Sequence, residues 1–79
     1  MKLGVPDIAR QLLEQYLKIN PRYKEAHLLL GVILGNQEHF EESIEWWGKG
    51  LELDPGDTRF IENIKEAKRV LGSKISERK

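Results

Sequence analysis

Few side chains in this 79-residue chain could do covalent or metal chemistry. There is no cysteine, which removes disulfides and thiolate metal sites together. Of the two histidines, His27 falls on an apolar helix face and reads as a core residue, while His39 lies at a turn and reads as a surface or capping residue. They are not on one helix, and no spacing fixes a carboxylate beside either. Glu41 and Glu42 are adjacent, so on a helix they diverge rather than converge on a site. No nucleophile elbow, phosphate-cradling glycine loop or zinc-binding helix motif is present. The expectation is a chain with no catalytic residue, no metal, no cofactor and no enzymatic activity.

Charge points the same way. Thirteen basic and thirteen acidic side chains cancel, which argues against nucleic acid or an anionic membrane as the general partner. The balance is uneven along the chain: residues 41–57 carry six acids and one base, and residues 58–79 carry seven bases and three acids. Solvated helix faces explain that pattern better than a charged binding patch does. No apolar run approaches the roughly 20 residues of a membrane span. The first ten residues lack the apolar core of a signal peptide. A soluble chain, expected in the cytoplasm, fits these features.

Residues that do no chemistry must then be read for packing. Turn signals at Pro6-Asp7, Asn20-Pro21, Gly35-Asn36, Asp54-Pro55-Gly56-Asp57 and Gly72-Ser73 divide the chain. Between them apolar residues recur at three- and four-residue steps, which predicts helices at about Asp7–Ile19, Tyr23–Leu34, Phe40–Leu53 and Thr58–Leu71. The second is apolar nearly all round and should be buried on several sides. Phe40, Ile44, Trp47 and Leu51 form the stripe of the third; Phe60, Ile64, Ala67 and Leu71 form that of the fourth. Gly72 is a natural left-handed stop, leaving a polar tail over 73–79. No segment alternates as a strand does. Short connections make consecutive helices antiparallel neighbours, so the fold class is all-α with four helices.

The chain also repeats. Leu17-Lys18-Ile19-Asn20-Pro21 returns 34 residues later as Leu51-Glu52-Leu53-Asp54-Pro55. One full unit spans residues 24–57, and within it His27-x2-Leu30-Gly31-x2-Leu34 is followed by Ser43-x3-Trp47-x2-Gly50 and Pro55. In period, Leu-Gly pair, small–aromatic–small spacing and proline this resembles the tetratricopeptide repeat. His27 and Leu34 depart from the family's usual aromatic and tyrosine, but both keep bulk. Residues 2–23, with Gly4, Ala9, Leu13 and Pro21 in register, look like the second half of a preceding repeat. Residues 58–72 look like a first helix whose Leu-Gly pair has become Ile64-Lys65, hence a capping helix.

The resemblance implies a right-handed superhelical array and a protein–protein interaction module that binds a peptide or helix of a partner. The first helix of each pair would line the concave groove. Here that gives Glu25, Leu28, Val32 and Asn36, continued by Arg59, Glu62, Glu66 and Arg69. Leu28 and Val32 stand where carboxylate-gripping members carry Lys and Asn, so that subtype is disfavoured. Equally, Leu28 and Val32 could pack against the first helix. Ala9, Leu12, Leu13 and Tyr16 would face a partner helix that the sequence lacks. Three readings cover that patch: a fragment of a longer repeat protein, a homodimer through the first helix, or head-to-tail stacking on the fourth helix, which Lys65 and Lys68 oppose. Trp46, adjacent to core Trp47, should be partly exposed and is the contact candidate outside the groove.

Overall fold

The computed structural model describes residues 5–77, with side chains over residues 7–73. Its elements are α1 (Val5–Ile19), α2 (Lys24–Asn36), α3 (Phe40–Leu53) and α4 (Thr58–Glu77). Gly4 and the last two residues of the expected tail lie outside the described residues. The all-α architecture agrees with the spacing, and α3 has the expected bounds. Turns of three or four residues join the helices, so each folds back antiparallel on the one before.

The helix ends show what the turn signals meant. α2 runs through Gly35-Asn36 and stops at Gln37, and the chain reverses at Glu38 with φ 65°. The Glu38 amide donates to the Gly35 carbonyl (3.0 Å) and the His39 amide to the Leu34 carbonyl (2.8 Å). Those two bonds are the Schellman pattern, built here on a glutamate in the left-handed region. At α4 the expected stop at Gly72 is corrected: no glycine among the described residues has positive φ, and the helix continues to Glu77. Glycine permits a left-handed end without forcing one. After Glu38, α3 returns and packs on α2; no described helix packs on α4 in that way beyond Gly72.

Two buried clusters hold the layers together. Leu17, Ala26 and Leu30 join α1 to α2, with Leu13 and Trp46 against them. Trp47, Phe60 and Ala67 join α3 to α4, with Leu28, Ile44, Leu51 and Ile64 around them. α2 packs extensively on α3, and α3 on α4, whereas α1 touches α2 sparingly. The molecule is a slab of 44 × 40 × 14 Å. Fourteen ångströms is about the depth of two packed helices, whose axes lie roughly 8–10 Å apart. The radius of gyration, 13.3 Å, exceeds the roughly 11.6 Å of a compact domain of this length. The fold is an open stack with two faces and two ends.

Candidate functional site

The crossing of α2 and α3 fixes every other surface. A Cβ added to Gly31 would sit 2.0 Å from Trp47 Nε1, so only glycine lets α3 approach there. Trp47 Nε1 donates to the Leu28 carbonyl (3.1 Å), and Ser43 Oγ donates to the Gly31 carbonyl (2.8 Å). Gly50 serves the next crossing, since a Cβ there would lie 2.3 Å from the Phe60 ring. His27 is 5% exposed, and its Nε2–H donates to the Pro21 carbonyl (3.0 Å). It therefore fills an aromatic core position and ties α2 to the turn before it.

The repeat period is visible as direct contact between α2 and α4. Arg59 lies 34 residues after Glu25 and forks onto it: Nη1 to Oε2 and Nη2 to Oε1, each 3.0 Å. Asp57 accepts from the Arg59 backbone amide (3.0 Å), as an N-cap, and from its guanidinium (2.7 Å). Lys24 completes the cluster, 2.5 Å from Asp54 and 3.0 Å from Asp57. Arg59 and then Lys24 hold the Asp57 carboxyl far below the usual carboxylate range. Lys24 lowers Asp54, and Arg59 lowers Glu25. In return Asp54 and Asp57 raise Lys24, and Asp57 and Glu25 raise Arg59.

Residues 24–57, the unit that contains this crossing and begins this network, match the tetratricopeptide repeat family. Over that stretch the chain is similar to a tetratricopeptide repeat. Over 75 residues it is 29% identical to the small glutamine-rich tetratricopeptide repeat-containing protein 2 of Mycosarcoma maydis, a match that covers 95% of this chain. The chain spans 21% of that relative's length. No solved structure matches it. Tetratricopeptide repeats are protein-interaction modules. No described helix is long and apolar enough to cross a membrane, and no group of three His, Asp or Glu among the described residues is placed to hold a metal ion.

The groove candidates on α2 and α4 separate into three kinds. Glu25 is bonded to Arg59, and Glu66 to Arg69 through two hydrogen bonds, so four of the eight answer one another. Leu28 is half-buried against the Trp47–Phe60–Ala67 cluster, on the side of α2 away from α1. Val32 (39% exposed), Asn36 and Glu62 face solvent. On α1, Leu12 is 61% exposed and Tyr16 is exposed, while Ala9 and Leu13 are half-buried. Leu12, Leu13 and Tyr16 line a cleft of 510 Å³ together with Tyr23 and Leu29. The last two did not enter the sequence-based patch because they lie on the turn and on α2; only folding places them beside α1.

The other side of the tetratricopeptide stack carries a cleft that residue spacing alone does not disclose. It measures 730 Å³ and runs between α1 and α3 over Leu17, Pro21, His27, Trp46 and Leu53. The Trp46 ring lies 5.7 Å from that of His27 and has the Lys49 ammonium 4.4 Å from its centroid. Trp46 is half-buried, as its place next to Trp47 implies. His39 is exposed at the N-cap of α3 but makes no side-chain cap bond.

Proposed function

We propose that this chain binds a peptide or helix of a partner protein along the face shared by α2 and α4. In this reading residues 24–57 are the binding unit, residues 2–23 the second half of a preceding unit, and residues 58–72 a capping helix. The observation that carries the reading is the Glu25–Arg59 fork, which ties the N-terminal ends of α2 and α4 together at the repeat period. The resulting strip presents Val32 as its apolar contact, with Asn36 one turn further along α2 and Glu62 on α4, both exposed. An occupant with one apolar side chain and flanking hydrogen-bonding groups suits that strip.

Val32 is the residue to test, because Leu28→Glu would place a charge against the core cluster and disturb the fold. A photocrosslinking residue at position 32 is expected to capture a partner that unmodified protein competes away. The same residue at position 49, on α3, is expected to capture none. Capture at position 49 without capture at position 32 would move the binding surface to the opposite side and end this reading.

A further inference from the structure

Helix α1 is amphipathic in the wrong sense for a surface helix. Asp7, Arg10, Glu14 and Lys18 share one side, and the first three are half-buried. Arg10 Nε is buried without a hydrogen-bond partner. The opposite side carries Ile8, Leu12, Tyr16 and Ile19, all exposed, the last to 85%. Between them stand Gln11 and Gln15 on one flank and Ala9, Leu13 and Leu17 on the other, so more than half of the helix circumference has no formal charge. Tyr23, packed edge-on against Tyr16 at 5.3 Å, and Leu29 (50% exposed) extend the surface onto the turn and α2.

We propose that this surface is a two-fold self-association interface and that its occupant is the same face of a second copy of the chain. The face is neutral, so like against like meets no repulsion and strips no charge of water. Six of the eight large exposed hydrophobic residues among those described lie on it, leaving Val32 and Ile61 for the rest. Among the described residues no other surface gathers as many large exposed hydrophobic side chains, and a contact of one patch with itself closes at two. Stacking α1 on the α4 of another copy does not fit. α3 is received by Gly31, where any Cβ would strike the Trp47 ring, and 34 residues later that position holds exposed Lys65. α1 also lacks the two anchors by which α3 grips α2: Ala9 replaces Ser43, and Leu13 replaces Trp47. The contact on α1 is therefore held by apolar burial alone, around Leu12 at the centre of the Ile8–Leu12–Tyr16 row.

Light scattering and sedimentation of the chain test this. The expected mass is twice 9.2 kDa, falling to the single value on dilution. Leu12→Glu and Leu12→Lys, at an exposed position, are each expected to give the single mass with unchanged helical circular dichroism. Mixing the two is expected to restore the doubled mass, because a dyad near Leu12 sets the new charges against each other. Glu62→Ala, on the α4 strip, leaves the mass doubled and so separates this interface from the peptide-binding reading. A wild-type chain of single mass at every concentration overturns the proposal, as does a dimer that survives both Leu12 substitutions. A single-mass chain that binds a foreign helix through Leu12 also overturns it and identifies the true cover.

Discussion

A methyl group added at Gly48 meets open space, whereas at Gly50 it meets the Phe60 ring and at Gly31 the Trp47 ring. These glycines sit in similar helical backbone, so the difference between them is one of packing. Gly48→Ala removes the entropic disadvantage of glycine and is expected to raise stability by about 1 kcal/mol. Gly50→Ala and Gly31→Ala gain the same helix propensity but force a rigid aromatic ring to move, and overpacking of that kind costs roughly 1–3 kcal/mol or more. Urea denaturation of the three variants measures both signs; a stabilised Gly31→Ala would show that Trp47 has somewhere to go. The small residues at 31, 43 and 50 and the aromatic at 47 are legible in the sequence because their spacing resembles the tetratricopeptide repeat pattern, which implies a helix crossing there. The bond from His27 to the Pro21 carbonyl is not legible, because it depends on how the preceding turn is folded.

Helix ends are governed by what the following element does. Gly4, Glu38 and Gly72 are spaced by 34 residues, so glutamate occupies a place where the flanking units have glycine. The Schellman end at Glu38 holds a non-glycine residue in the left-handed region, which costs about 1–2 kcal/mol for an L side chain. Glu38→Gly relieves that strain and adds freedom to the unfolded chain, for a net gain of about 0.5–1 kcal/mol. In a domain of this size each kcal/mol moves Tm by about 4–8 °C, so a thermal melt resolves the change. A lower Tm would mean that contacts of the Glu38 side chain outweigh the strain. The spacing places the turn correctly, but which residue turns left-handed is decided by the return of α3, and the same logic explains why Gly72 remains helical. α1 stands apart from the other helices. It packs sparingly on α2, and just past the end of α2 Gln37 donates to Asp7 at 3.3 Å. Local opening follows the density of such contacts, so α1 amides are expected to exchange with deuterium before those of α2 and α3. Equal protection across the four helices would contradict that ordering, unless the protein is dimeric under the conditions used, in which case Leu12→Glu restores it.

At the scale of the whole molecule, the uneven charge pattern along the chain becomes a three-dimensional clasp. The acids of the α3–α4 turn, Asp54 and Asp57, face Lys24 at the start of α2, and Arg59 at the start of α4 reaches back to Glu25. One cluster thus joins the N-terminal ends of two helices to the turn between repeats. Sequence arithmetic finds an acidic stretch before a basic one, but the partners are 30 to 34 positions apart and meet only because the repeat stacks at its own period. The pH response follows from the sign of the shifts. Glu25, Asp54 and Asp57 are all held below their ordinary values by the cations beside them. An unfolded chain therefore takes up protons first as pH falls below about 4, and folding stability falls with it. Lys24 and Arg59 are shifted upward from values already above neutrality, so they add no pH dependence between 3 and 8. Asp57→Asn isolates the effect, because asparagine can still cap α4 through its side-chain oxygen but carries no charge. The variant is expected to be less stable than wild type at pH 7, with the gap narrowing as pH falls below about 4, since the wild type then loses the charge that the variant never had. Salt should narrow the gap at neutral pH as well, because most of the cluster is open to water. A gap that stays constant from pH 7 to pH 2 would mean that Asp57 acts through its cap bond to the Arg59 amide alone, and that the clasp contributes nothing as a set of charges.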